Sequence, residues 1–164
     1  MVDIVAPDVR SRLMSGIRSK NTRPEMAVRR GLHAAGFRFR LHNKKLPGTP
    51  DMTFPKWRAV IFIHGCFWHG HGCHLFKWPA TRTDFWKAKI NRNQQNDLKH
   101  SRELQLAGWR IGVVWECALR GKKKQPLESV VEHLGQWLIS GRPSITLGSP
   151  EGEIAESRTA QSDA

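Results

Sequence analysis

The stretch AVIFIHGCFWHGHGCH, residues 59–74, joins an uncharged apolar run to a segment crowded with potential metal ligands. Its first five residues are typical of a strand buried on both faces of a sheet, because they combine β-branched and aromatic side chains without a charge. The eleven residues that follow contain four histidines and two cysteines. We therefore expect the chemistry of this protein to lie in a loop that begins where a buried strand ends.

The segments on either side of this stretch predict an α/β domain. Residues 22–25, Thr-Arg-Pro-Glu, have the form of a capping box and predict a helix that runs to about Ala35. Strands are expected at 37–41, 51–54 and 109–116, and further helices at about 83–106 and 127–138. This order predicts a single domain in which a central mixed β-sheet is flanked by helices. We expect the domain to span residues 22–140, between a basic N-terminal arm at 1–21 and a disordered tail at 141–164.

The charge of the chain indicates its partner. The formal net charge is +13 in 164 residues, and a field this positive favours a polyanion such as nucleic acid. A charge that serves only solubility is the alternative. The sequence contains no apolar run long enough to span a membrane, and the acidic residues Asp3 and Asp8 argue against a secretory signal. We expect a cytoplasmic protein that does not contact a membrane.

Asp51 is the only acidic residue between positions 26 and 83. It begins an expected strand, and antiparallel pairing of that strand with residues 59–63 would bring it within about 10 Å of His64. Mg²⁺ prefers carboxylate oxygens, so Asp51 is a candidate for holding a catalytic metal against a phosphate. The alternative is that Asp51 only caps a turn. Glu25 is the natural second acid, although it could equally serve its own capping box alone.

Cys66, His71, Cys73 and Cys117 offer the thiolate and imidazole ligands that zinc prefers. Cys117 directly follows an expected strand, and if that strand lies beside residues 59–63, its thiol reaches the base of the loop. The four side chains would then form a structural Cys₃His site. Because no paired C-x2-C motif is present, buried thiols without a metal are the alternative.

Other residues near the loop have the chemistry needed to act on nucleic acid. His64 and His69 could take a proton from an attacking water or donate a hydrogen bond to a phosphate oxygen. Phe67, Trp68 and Trp86 lie among basic residues and could stack on bases or wedge between them, with Met14 in the basic arm as a further wedge. Alternatively, the aromatic residues cover the zinc site as a small apolar cluster.

Three segments together closely resemble the very-short-patch repair (Vsr) endonucleases of bacteria. They are PGTPD, AVIFIHGCFWHGHGCHLFKWPATRTDFW and GWRIGVVWECALRG, and the likeness extends over roughly residues 8–140. The resemblance implies a nuclease core of the PD-(D/E)xK type, a zinc site, and Mg²⁺-dependent nicking of one DNA strand beside the thymine of a T:G mismatch. It implies duplex DNA as substrate and a MutL-type repair partner. We expect a monomer that acts at the bacterial nucleoid.

The resemblance also implies roles for individual residues. Asp51 and the backbone carbonyl of Ile63 would bind Mg²⁺, His69 would be the general base, and His64 would contact the phosphate or the water. Zinc would be held by Cys66, His71, Cys73 and Cys117, and DNA would be contacted by Phe67, Trp68, Trp86 and Met14. Two departures from the family pattern are Ile63, where threonine is common, and the pair Gly70 and Gly72, which would loosen a loop often richer in histidine.

Two other functions fit these patterns. One is a zinc-stabilised, non-catalytic module that binds distorted DNA, for which the basic charge and the aromatic residues would suffice. The other is a nuclease of the same fold whose specificity is like that of a restriction enzyme, cutting matched DNA.

Overall fold

The computed structural model describes residues 20–149, which form three α-helices around a five-stranded sheet. The helices are α1 (Arg23–Ala34), α2 (Thr83–Leu106) and α3 (Leu127–Ser140). The strands are β1 (Arg40–Leu41), β2 (Met52–Phe54), β3 (Ala59–His64), β4 (Arg110–Trp115) and β5 (Ser144–Leu147). Short 3₁₀ turns follow β2 at Pro55–Trp57 and β4 at Glu116–Ala118.

The sheet is mixed, as the order of the elements predicts. The strands lie in the order β1-β2-β3-β4-β5; the first two pairings are antiparallel, and the last two are parallel. β3 occupies the centre and its first four residues are buried, in agreement with its uncharged sequence. The parallel pairing places His64 opposite Trp115, so β3 and β4 end side by side at one edge of the sheet.

Helices cover both faces of the sheet. Successive side chains of β3 point to opposite faces, so both faces are apolar and are buried by helices. Ile61 packs into a core shared with α1 and α3, which includes Leu32 and Trp137. Val60 packs on the other side, in a cluster that includes Leu104 of α2. None of the described helices is both long enough and apolar enough to cross a bilayer.

Helix α1 begins as the capping box predicts. The Oγ1 atom of Thr22 accepts a hydrogen bond from the backbone N–H of Glu25 at 3.4 Å. The helix ends just before Gly36, whose φ of +98° favours glycine. The reciprocal bond of the box is altered, because the Glu25 carboxylate accepts from the N–H of Asn21 at 2.9 Å rather than from that of Thr22.

Two segments differ from the prediction. Only Arg40–Leu41 of the strand expected at 37–41 pairs with β2, while Phe37 and Phe39 pack against the core instead. The prediction of a disordered tail is wrong for Ser144–Leu147, which pairs with β4 and buries Leu147. Met14, with the rest of residues 1–19, and the last 15 residues lie outside the described part of the chain.

A close approach of α1 to α3 gives a test of the packing. A Cβ atom added at Gly31 would lie 2.4 Å from Cγ2 of Val131. We expect Gly31→Ala to lower the free energy of unfolding by about 1–3 kcal/mol, because the steric overlap outweighs the better helix propensity of alanine. Thermal unfolding should show a lower Tm, and a second change, Val131→Ala, should restore most of it. An unchanged Tm in the single variant would contradict this contact.

Candidate active site and metal centre

The candidate site lies at the edge of the sheet where β3 ends. Met52 pairs with Ile61 in the expected antiparallel arrangement, so Asp51 lies just beyond the paired part of β2. There the backbone N–H of Ile63 donates a hydrogen bond of 2.7 Å to Oδ2 of Asp51. Asp51, His64 and His69 line one cavity of about 310 Å³, which brings together the carboxylate and the two imidazoles that the sequence singles out.

Glu25 joins Asp51 in a buried cluster. Its side chain enters from the first turn of α1 and is almost completely buried. One carboxylate oxygen lies 2.9 Å from Nε2 of His42, and the other lies 3.1 Å from the guanidinium of Arg29. His42 is 4.0 Å from Asp51, and the ligand atoms of Glu25, His42 and Asp51 all lie within 4.8 Å of one another. Glu25 therefore does more than cap its helix.

The two carboxyl groups affect each other's protonation. Burial, followed by hydrogen bonding and charge repulsion from the nearby Glu25, raises the pKa of Asp51 to about 8. Burial also acts to raise the pKa of Glu25, but hydrogen bonds from Asp51, His42 and Arg29 outweigh this and lower it. The raised pKa of Asp51 thus favours a proton on this carboxyl at neutral pH. A divalent cation bound by Asp51 could take the place of that proton, because it would neutralise the buried carboxylate.

His64 and His69 form a stacked pair next to this cluster. Their ring centroids are 3.9 Å apart and the rings are within 4° of parallel. Burial, followed by the charge of His69, lowers the pKa of His64 to about 3, so this ring is neutral. Nδ1 of His69 lies 2.5 Å from Oδ2 of Asp97. This bond fixes the orientation of the His69 ring and leaves Nε2 as the nitrogen that can accept a proton.

Asp97 is a further site residue, beyond those expected from the sequence. It lies on α2, on a polar face that also carries Asn93 and Gln94. Asn93 donates 2.8 Å to the carbonyl of Trp68, and Gln94 donates to the carbonyls of His69 and Gly70. The spacing i, i+1, i+4 places these three side chains on one side of the helix. That polar spacing is the only signal in the sequence that could have indicated them.

Gly70 makes the loop fit closely against α2 rather than loosening it. Its φ is +63°, and an added Cβ would lie 2.8 Å from Cγ2 of Ile90 and 2.5 Å from Nε2 of Gln94. Gly72, by contrast, faces open space. The expected loosening is therefore not seen at Gly70, where the absence of a side chain permits the contact.

The four predicted zinc ligands lie together beside the cavity. The donor atoms of Cys66, His71, Cys73 and Cys117 are all within 4.8 Å of one another. Nδ1 of His71 lies 3.6 Å from Sγ of Cys66 and 3.5 Å from Sγ of Cys117. A tetrahedral zinc ion with ordinary Zn–S and Zn–N bonds separates such atoms by about 3.6 Å, so the donor set and its spacing fit this metal.

Backbone groups support the same cluster. The N–H of Cys117 donates to Sγ of Cys66 at 3.3 Å, and the N–H of Ser149 donates to Sγ of Cys117 at 3.2 Å. Burial raises the pKa values of the Cys66 and Cys73 thiols. Metal binding must therefore release protons, because the ligands of zinc are thiolates.

The predicted DNA-contacting aromatic residues also form a cluster. Phe67 lies edge-on to Trp68 and Trp86, with ring centroids 5.2 and 5.4 Å away. The ammonium group of Lys89 lies 5.4 Å from the ring of Trp68 and 5.6 Å from that of Trp86. The three rings are partly exposed, and they directly precede His69 or begin α2. The three rings thus pack against one another, and each still has exposed surface that a ligand could contact.

Comparisons with known proteins show which proteins this chain is similar to. The family model described as DNA mismatch endonuclease Vsr matches residues 2–75. The chain is 44% identical over 138 residues to the DNA mismatch endonuclease Vsr of Escherichia coli K12, covering 84% of this chain and 88% of the relative. It is 54% identical over 119 residues to the type II nicking enzyme V.XorIIP of Xanthomonas oryzae pv. oryzae, covering 73% and 88%. It is 45% identical over 122 residues to V.NmeAIP of Neisseria meningitidis, covering 74% and 87%.

The raised pKa of Asp51 predicts how stability depends on pH in the absence of Mg²⁺. A carboxyl whose pKa is higher in the folded than in the unfolded state stabilises the fold at low pH and loses this effect as pH rises through about 8. Asp51→Asn removes the ionising group. We therefore expect its Tm advantage over the wild type to grow between about pH 5 and pH 9. The exposed control Asp84→Asn should show no such trend, and a constant difference for Asp51→Asn would contradict the shift.

Proposed function

Because this chain belongs to the Vsr family of DNA mismatch endonucleases, we propose that it nicks one strand of duplex DNA beside the thymine of a T:G mismatch. Membership makes the chain an endonuclease with the nuclease fold of that family, which removes the non-catalytic DNA binder as an alternative. The observation that carries the proposal is the cavity lined by Asp51, His64 and His69. Acidic and basic groups suited to phosphodiester hydrolysis meet there, next to a cluster of aromatic rings.

Asp51 and the backbone carbonyl of Ile63 are the groups that we propose as Mg²⁺ ligands. When bound, Mg²⁺ would polarise the scissile phosphate and stabilise the negative charge that develops on it. Glu25 and His42 support this position by holding the Asp51 carboxylate in a buried network. The isoleucine at position 63 is compatible with this role, because its side chain packs against the core and the carbonyl alone is needed.

His69 is the proposed general base. Asp97 holds its Nδ1, so Nε2 can take the proton of the attacking water, and the Asp97 carboxylate stabilises the imidazolium that forms. The low pKa of His64 makes that ring a poor base. Its buried Nδ1 has no hydrogen-bond partner among the described residues, so we assign His64 to hydrogen bonding with the phosphate or the water.

The aromatic cluster accounts for selectivity in this proposal. Phe67, Trp68 and Trp86 would insert beside the mismatch, with Met14 of the arm approaching from the other groove. Unstacking a base step costs a few kcal/mol, and a T:G wobble pair resists this less than a matched pair. The positively charged side chains of the protein would bind the DNA phosphates on either side of the mismatch, and these contacts do not depend on the base sequence. The arm at 1–21 is proposed to contribute to this contact.

The structural metal is proposed to be zinc, held by Cys66, His71, Cys73 and Cys117. It would connect the loop to the end of β4 and so fix the residues between the ligands, among them Phe67, Trp68 and His69.

We further propose that the enzyme acts as a monomer at the bacterial nucleoid, in the cytoplasm, with a MutL-type protein as repair partner. A restriction-like specificity for matched DNA is the alternative that the assay below distinguishes.

A nicking assay tests the activity. With Mg²⁺, the wild type should nick a duplex that contains one T:G pair, leave the matched duplex intact, and cut no second strand. Asp51→Ala should lower the rate by at least about 100-fold, because the metal would lose its only carboxylate ligand in the scheme. Glu128→Ala, which removes an exposed acid on α3, is the matched control and should keep full activity. Equal nicking of matched DNA would overturn the mismatch specificity, and an active Asp51→Ala would overturn the mechanism.

The zinc assignment predicts a metal content and a loss of stability. Metal analysis after dialysis should find about one zinc ion per chain, as a site with four protein ligands implies. Cys117→Ser should lose the metal and lower the Tm, because three of the ligands would no longer be connected to β4. Ser129→Ala, on α3 away from the cluster, is the control. A dialysed wild-type protein without zinc would remove the assignment.

A further inference from the structure

A groove that the proposed mechanism does not use lies where the first turns of α1 and α3 meet the Glu116–Ala118 turn. Its volume is about 760 Å³. Apolar side chains line much of it, and basic side chains stand at its edge. The apolar residues are Pro24, Ala27, Leu119, Pro126 and Leu127, and the basic ones are Arg23, Arg120 and Lys124.

The edge of the groove carries uncompensated positive charge. Arg120 is paired with Glu116 at 3.3 Å, but within residues 20–149 neither Arg23 nor Lys124 contacts a carboxylate. The helix that begins at Leu127 has no side-chain cap, so its N-terminus adds to the positive potential. An occupant with acidic groups around a small apolar centre would complement both the edge and the floor.

The chain itself leads to this groove. Ser149 is the last described residue, is fully buried, and donates its N–H to Sγ of Cys117, in the turn that forms one wall. The carbonyl of the preceding Gly148 accepts a 2.6 Å hydrogen bond from Gln125, which lines the groove. Gln125 thus connects the described end of the chain to the groove, and an extended chain adds about 3.3–3.6 Å per residue beyond it.

Those residues have the complementary composition. Positions 151–156 read Glu-Gly-Glu-Ile-Ala-Glu, in which three carboxylates surround Ile154 and Ala155. We propose that this segment, residues 151–156, docks in the groove, with Ile154 against the apolar floor and the glutamates against Arg23 and Lys124. The N-terminal arm also precedes a groove residue, Thr22, but the sequence next to Thr22 contains Arg18 and Lys20, whose charges would be repelled by the basic edge.

Docking would reduce the affinity of the protein for DNA in general. The groove includes Thr22 and Arg23, which directly follow the basic arm, so a docked acidic segment would place negative charge beside a surface proposed to contact phosphates. This consequence rests on the proposed function, whereas the docking itself does not. The two can therefore be tested separately.

Zero-length cross-linking of the full chain with a carbodiimide tests the docking. At low salt, Glu151, Glu153 or Glu156 should form amide bonds to Lys124 or to its neighbours Lys122 and Lys123, and raising the salt should suppress these products. In a mixture of isotopically labelled and unlabelled chains, each cross-link should join two peptides of the same chain, and no labelled peptide should be linked to an unlabelled one. Cross-links between chains would show docking in a second copy, and glutamates linked only to lysines of α2 or to none would also overturn the proposal.

Binding to a matched duplex without Mg²⁺ tests the consequence. The triple variant E151Q/E153Q/E156Q should bind severalfold more tightly than the wild type at low salt, and the difference should shrink as salt rises. Asp163→Asn, an acid of the same terminal region outside the docked segment, should bind like the wild type. If cross-links form but the triple variant binds DNA no more tightly, the segment docks without competing, and the proposed effect on DNA is wrong.

Discussion

The parallel pairing of β3 with β4 is the constraint on which the site depends. Parallel strands end at the same edge of a sheet, and here the register sets His64 opposite Trp115. Cys66 and Cys117, each two residues beyond the end of its own strand, are thereby brought together although 51 positions separate them. The ring of Trp115 stacks on His71 at 4.2 Å and meets His64 edge-on, so the same strand end supports both the cysteine cluster and the histidine pair.

Helix α2 supplies the second support of the loop. Asn93 and Gln94 bind carbonyls of the loop while Asp97 binds the ring of His69, so one face of the helix fixes both the backbone and the proposed base. Gly70 permits this approach, because any side chain there would meet Ile90. The loop after β3 thus has little freedom on the side of the helix, and its aromatic residues form the remaining exposed side.

Much of this arrangement follows from local sequence patterns. The uncharged run of β3, the capping box of α1 and the helical segment that ends before Gly108 each predict their element, and the placement of Cys117 follows from adjacent strands. Asp97 could not be identified in the same way, because its role depends on how α2 is rotated against the loop. The sequence does not predict β5, because the short segment Ser-Ile-Thr-Leu pairs with one strand only and follows a Gly-Arg-Pro segment typical of a linker. The role of Glu25 in the buried cluster with Asp51 could not be predicted either, because it depends on a tertiary contact with His42.

The hydrogen bonds at Cys117 have a consequence for when the site can assemble during synthesis of the chain. The loop with the two histidines is made early, but the cysteine that closes its cluster follows a whole helix and strand later, and the backbone group that contacts this sulfur belongs to Ser149. A nascent chain still short of these positions has the histidines but lacks the groups that hold their loop in place. Translation itself therefore delays the assembly of the cutting centre until nearly the whole domain has emerged from the ribosome.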